Sequence, residues 1–117
     1  IGYPDLYDYR SHIDQAKNAK VYISTSLSET MGMTLLESWA SGVPSVTHPK
    51  IYMHGENYKT GIITNRSVSA YCEAIEEIME DDYLHKTLSE GSREFMVSNF
   101  SRDVVIRNYL NILDDIK

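Results

Sequence analysis

Glu29 and Glu37 stand eight positions apart in the stretch Ser26–Pro44, S-L-S-E-T-M-G-M-T-L-L-E-S-W-A-S-G-V-P, with Gly32 between them. A carboxylate accepts hydrogen bonds from paired hydroxyls, so two acids around a glycine suit two polyols, such as a ribose and a second sugar. Gly32 carries no Cβ and lets the backbone come close to a ligand. If a helix opens after it, the N–H groups of Met33, Thr34 and Leu35 have no intrahelical partner and favour a phosphate. The combination fits a nucleoside diphosphate bearing a sugar. A local alternative exists, because Thr34-x-x-Glu37 and Ser26-x-x-Glu29 both match a helix capping box. The joint occurrence of two acids, the glycine and a Gly42-x-Pro44 stop favours the ligand site over a pair of caps.

Such a site needs a strand before it and a helix within it. Lys20–Thr25 (K-V-Y-I-S-T) is rich in β-branched and aromatic residues and predicts a strand. Thr34–Ser41 predicts a helix that stops near Gly42 and Pro44. Ser45–Thr47 and Gly61–Thr64 predict two further short strands, separated by a loop over His48–Gly61. Tyr7–Asn18, with Tyr9, Ile13 and Ala16, predicts a short surface helix. Three more helices follow from the spacing of Tyr71, Ile75, Ile78 and Met79, then Leu84, Leu88 and Phe95, then Val105, Tyr109, Ile112, Leu113 and Ile116.

Strands alternating with helices predict an α/β fold with a parallel sheet, and ligands bind beyond the carboxyl ends of such strands. Ser26–Met33 falls at that edge. A doubly wound sheet has about six strands, so three predict a partial, Rossmann-like sheet. Residues 1–66 form its α/β part and residues 67–117 a helical tail. The Lys20–Thr25 strand would expose an edge, through which self-association is expected.

The chain has 117 residues, 42% of them apolar and 24% charged, which fits one globular domain with a modest core. A net charge of −6 with scattered Lys and Arg argues against a nucleic-acid partner. No apolar run approaches the roughly 20 residues of a membrane span, and no signal peptide is visible. Without an initiator methionine, Ile1 is not expected to be the natural start. The single cysteine, Cys72, excludes an internal disulfide and is expected to be a small buried thiol. His48, His54 and Glu56 match no zinc spacing. The two histidines are expected to face solvent on the loop, and His12 and His85 to be exposed. Lys50 and Lys59 are expected to be exposed loop lysines, Trp39 to pack in the core, and Glu76–Asp82 to form a solvated helix junction.

The Ser26–Pro44 stretch resembles the E-x7-E segment of retaining glycosyltransferases of GT-B architecture, in the large family-four group also called glycosyl transferases group 1. G-Y-P-D-L-Y, Y-K-T-G-I-I and N-F-S-R-D extend the resemblance over nearly the whole chain. It implies the C-terminal half of a nucleotide-sugar-binding domain. By the same resemblance Glu29 matches the first glutamate, catalytic, against the sugar hydroxyls near the reacting carbon. Glu37 matches the second, which binds ribose. Met31, Gly32, Met33, Thr34 and Leu35 line the nucleotide sugar, the amides near the diphosphate.

Met31 stands where the family usually has phenylalanine, which keeps bulk and apolarity. H-P-K-I-Y-M-H-G-E-N-Y replaces a common Gly-Gly-x-x-Glu loop, so contacts of that loop are not assigned. The resemblance further implies transfer to an acceptor hydroxyl without metal or other cofactor, in polysaccharide or glycoconjugate synthesis. The basic pair for the diphosphate and a glycan- or lipid-linked acceptor site would lie upstream, in an N-terminal domain, so this chain alone is expected to be inactive. The location implied is the cytoplasm, at the inner face of the membrane for the full enzyme. Two alternatives are a sugar-nucleotide epimerase of the same fold and a non-catalytic interaction module.

Overall fold

The computed structural model describes residues 14, 17–26, 32–50 and 55–116. Three short strands, β1 (Tyr22–Ile23), β2 (Ser45–Thr47) and β3 (Gly61–Ile63), form a parallel sheet in the order β1-β2-β3. Tyr22 pairs with Ser45 and Ile23 with Val46; on the other side Ser45, Val46 and Thr47 pair with Gly61, Ile62 and Ile63. Four helices accompany them: α1 (Met33–Ala40), α2 (Val68–Glu80), α3 (Asp82–Phe100) and α4 (Arg102–Ile116). The fold is therefore α/β with a partial, Rossmann-like parallel sheet and a helical C-terminal tail. The helix expected over Tyr7–Asn18 lies mostly outside the described residues.

Alternation along β2 separates two layers of core. Val46 packs with Ile62, Tyr71, Ala74, Ile78 and Leu88, on the side covered by α2. Its neighbour Ser45 turns the other way and accepts a hydrogen bond from Trp39 Nε1 of α1 at 3.0 Å. Trp39 is 1% exposed and meets Phe95 edge-on, with ring centroids 5.4 Å apart. The expectation that Trp39 belongs to the core holds. Helix α3 serves both layers, because Leu88 enters the α2 side and Phe95 the α1 side.

Helix α1 ends where Gly42-x-Pro44 predicts. Ser41 N–H donates to Glu37 O, Gly42 N–H to Trp39 O and Val43 N–H to Ser38 O. The chain then turns directly into β2. Among the described residues no strand pairs with the outer edge of β1. The outer edge of β3 is covered by the turn before it: Asn57 Oδ1 accepts from Ile63 N–H at 2.8 Å, and Tyr58 N–H donates to Gly61 O at 2.7 Å.

Asp81 ends α2 and caps α3, accepting from Leu84 N–H at 3.0 Å. The solvated junction expected over Glu76–Asp82 is centred there. Asp81→Ala is expected to lower stability by about 1 kcal/mol, the usual worth of an N-cap, read from the urea midpoint. Helix α4 follows the predicted period, but none of its residues is buried, and Tyr109, Leu110, Ile112, Leu113 and Ile116 are all exposed.

Candidate functional site

The start of α1 is built by Gly32. It adopts φ 58° and ψ 50°, the left-handed region, and as the N-cap residue it has no side chain with which to cap the helix. The first helical bond runs from Leu36 N–H to Gly32 O at 3.0 Å, so the N–H groups of Met33, Thr34 and Leu35 precede it. The capping box considered for Thr34 and Glu37 is not formed. Thr34 lies inside the helix, and its carbonyl accepts from Ser38 Oγ at 2.9 Å. Met33 and Thr34 are exposed, Glu37 is half-buried, and the Leu35 side chain is in the core. Leu35 therefore offers the site only its backbone. Glu29 and Met31 lie outside the described residues.

An alanine in the left-handed region costs about 1–2 kcal/mol, because its Cβ approaches the following carbonyl. Gly32→Ala is accordingly expected to destabilise the chain by about that amount. The change is read by urea denaturation, and a stability gain would show that Gly32 does not hold this conformation.

Beyond β1 the ladder ends with Ser24 N–H donating to Val46 O at 3.1 Å. The next carbonyls are taken by side chains. Tyr71 Oη donates to Ser24 O at 2.6 Å, and the ring of His48 meets Ser26 O through Nε2 at 2.7 Å. Since a carbonyl only accepts, that nitrogen carries the proton. Nδ1 is then the acceptor of a long contact from Lys50 N–H at 3.4 Å. His48 is 2% exposed. The expectation of a solvent-facing histidine is thus wrong: the residue directly follows β2 and its ring folds under the sheet edge rather than out along the loop.

His85 is also half-buried instead of exposed, with Nε2 at 2.8 Å from Lys20 O. His12 and His54 lie outside the described residues. Among those described, no three His, Cys, Asp or Glu side chains are grouped to hold a metal ion.

Among the described residues, two cavities open at the carboxyl ends of the strands. One, of about 490 Å³, is lined by Thr25, Arg66, Ser67, Val68, Tyr71 and Cys72. The other, of about 290 Å³, is lined by His48, Pro49, Lys50, Asn65 and Arg66. Arg66 borders both. Burial pushes the Tyr71 hydroxyl above the ordinary tyrosine value, against a smaller downward pull from the Arg66 charge. The phenol therefore stays protonated and able to donate.

Cys72 is exposed, not buried as expected, because it falls one position past Tyr71 on the cavity side of α2. Lys59 is half-buried and pairs with Glu94 at 3.7 Å, whereas Lys50 is exposed as expected. Arg66 and Thr25 were not singled out in the sequence. Their signal was their place directly after a strand, where a parallel sheet gathers its ligand-facing residues.

A parallel sheet with a glycine-opened helix at its carboxyl edge defines the class of Rossmann-like α/β folds. The chain matches the family described as glycosyl transferases group 1 over residues 7–95, and it belongs to that family. It is 34% identical over 99 residues to the lipopolysaccharide core biosynthesis glycosyltransferase LpsE of Rhizobium meliloti, covering 80% of this chain and 28% of that protein. It is 38% identical over 97 residues to the alpha-monoglucosyldiacylglycerol synthase of Streptococcus pneumoniae, covering 75% and 21%. It is 26% identical over 94 residues to the N-acetyl-alpha-D-glucosaminyl L-malate synthase of Bacillus anthracis, covering 75% and 24%. The chain thus spans about a quarter of the length of these relatives. No described helix is long and apolar enough to cross a membrane.

Proposed function

We propose that this chain carries part of the donor site of a retaining glycosyltransferase. The reaction transfers a sugar from a nucleoside-diphosphate sugar to an acceptor hydroxyl, in glycan or glycolipid synthesis. The observation that carries this reading is the start of α1, where left-handed Gly32 opens the helix with its backbone and Glu37 follows one turn later. In this reading the amides of Gly32 through Leu35 stabilise negative charge on the departing diphosphate. Glu37 accepts from the ribose hydroxyls, Glu29 orients the donor sugar, and Met31 and Met33 line its pocket. No metal is needed, since the helix start supplies the positive end. The relatives' names support a sugar-transfer reaction, and two of them are named for alpha-linked products.

Residues 1–66 would supply the α/β part of the site and residues 67–117 the supporting helices. Transfer itself would need the acceptor site of a longer polypeptide. An NMR titration of the isotope-labelled chain with UDP-, GDP- and dTDP-sugars, and with bare UDP, tests the reading. Amide shifts centred on Gly32–Glu37 are expected for one nucleotide series. Shifts elsewhere, or none up to millimolar ligand in the longer polypeptide as well, would overturn it.

A further inference from the structure

We propose that the cavity between the exits of β2 and β3 is a binding site for a phosphate monoester, held by Lys50 and Arg66. Residues 48–50 follow β2 directly. Asn65 and Arg66 come directly after Thr64, whose N–H closes the ladder on Thr47 O at 2.9 Å. The two exits therefore meet over adjacent parallel strands, at the carboxyl edge where such sheets take their ligands. Together they line about 290 Å³. That is near the lower limit of ligand pockets, roughly 300 Å³, and suits a charged group with part of its carrier rather than a whole nucleotide sugar.

The charge of this cavity is opposite to that of the chain. The chain carries a net charge of −6, yet its described lining includes Lys50 and Arg66 and no carboxylate. Among the described residues neither cation makes an ion pair, whereas Lys20 and Lys59 pair with Asp82 and Glu94. The polar side chains nearest them are committed elsewhere, Tyr71 Oη to Ser24 O and His48 Nε2 to Ser26 O. Two cations without a counter-charge raise the potential inside a cleft. A guanidinium offers phosphate oxygens a planar fork, and an ammonium adds a point charge. The pair matches a dianion better than a single charge: a phosphate monoester carries about −1.5 to −2 at neutral pH, a carboxylate only one charge.

The diphosphate of an intact nucleotide sugar is esterified at both ends and presents no monoester. Two other molecules share the required chemistry, a phosphorylated acceptor and the nucleoside diphosphate left once the sugar has departed. Assigning the source rests on the donor-site reading above; the phosphate site itself does not.

The test is calorimetry on the full-length polypeptide carrying this chain, with glucose 6-phosphate, glucuronate, UDP and UDP-glucose. The variants are Lys50→Gln and Arg66→Gln. Lys86→Gln is the control, making the same charge change beside His85, which meets Lys20 O at the amino end of the sheet. All three side chains are exposed, so the variants are expected to fold as wild type does.

Lys50→Gln and Arg66→Gln are each expected to weaken glucose 6-phosphate about ten-fold, the worth of one charge-assisted hydrogen bond, with Lys86→Gln within about two-fold of wild type. Glucuronate should bind wild type several-fold more weakly than glucose 6-phosphate. UDP then assigns the source. If the same two variants weaken UDP but not UDP-glucose, the departing nucleotide uses the cavity; if UDP is unchanged, the phosphorylated acceptor does. The proposal is overturned if wild type does not bind glucose 6-phosphate up to millimolar concentration, if the three variants act alike, or if glucuronate binds as tightly. Failure of the donor-site reading looks different: wild type then binds neither UDP nor UDP-glucose, while the loss of glucose 6-phosphate in the two cavity variants is still seen.

Discussion

Glu37→Ala is expected to weaken nucleotide-sugar binding by about 10- to 100-fold, because a charged acceptor contributes about 1.5–3 kcal/mol per hydrogen bond. The substitution should leave α1 in place. Glu37 contributes its backbone carbonyl to the helix end, where Ser41 N–H donates to it at 3.0 Å, and that bond survives side-chain removal. Alanine is moreover the better helix former. The core contacts of α1 come from Leu35, Leu36 and Trp39 on its other face. A loss of binding without a loss of melting temperature would therefore report on the ligand and not on the fold. Glu37→Gln sharpens the result. An amide oxygen still accepts but carries no charge, so an intermediate affinity is expected. If the alanine variant titrates like wild type with every nucleotide sugar, Glu37 does not hold the ribose.

The largest effect on stability is expected from Gly61→Ala. Gly61 opens β3 at φ 150°, in the positive-φ range that residues with a Cβ rarely adopt. A Cβ there would overlap Ser45 O and stand 2.6 Å from Ser45 N. Both are backbone atoms of the neighbouring central strand and cannot swing aside as a side chain would. Relief requires β2 and β3 to separate, which breaks the Ser45–Gly61 register and pulls Val46 from Ile62. The cost is expected to exceed about 4 kcal/mol, a large share of the stability of a small domain. The variant should be largely unfolded at 25 °C, or keep helical circular dichroism while losing its tryptophan environment. Trp39, the single tryptophan, reports this directly, because it is fastened to Ser45. A melting transition within a few degrees of wild type would show that the two strands do not approach so closely.

Much of this was legible in one dimension because it rests on short-range rules. The apolar spacing of Tyr71, Ile75 and Ile78 marks α2, since residues three and four apart share a helix face. Gly42-x-Pro44 marks the end of α1, since it is a stop within the chain's own neighbourhood. The run Lys20–Thr25 marks the first strand, of which Tyr22–Ile23 pairs in the sheet, and the Glu29-x7-Glu37 spacing carries the resemblance to the glycosyltransferases. The order of strands and helices then leaves little freedom in how a parallel sheet is wound.

The misreadings have a common cause, which is that burial depends on partners distant in sequence. His48 looks like a loop histidine between Thr47 and Pro49. It is buried because Ser26, 22 residues earlier, needs a hydrogen-bond donor. Cys72 looks like a core thiol among Tyr71 and Ala74. It is exposed because α2 turns that position toward a cavity at the sheet edge rather than toward Val46. Lys59 finds Glu94, and His85 finds Lys20, only once α3 has docked. The capping box of Thr34 and Glu37 was equally legible and is not used, because Gly32 starts the helix earlier with its backbone alone.

The sequence by itself thus determined the element types, the family and the pair of acids, all of which are written in spacing and residue chemistry. Tertiary structure alone decided which polar side chains are buried, which carbonyls beyond β1 they satisfy, and that Arg66 borders both cavities at the sheet's carboxyl edge. Hydrogen-bond satisfaction in a core is settled by through-space geometry, and no local pattern encodes which distant carbonyl a side chain will meet.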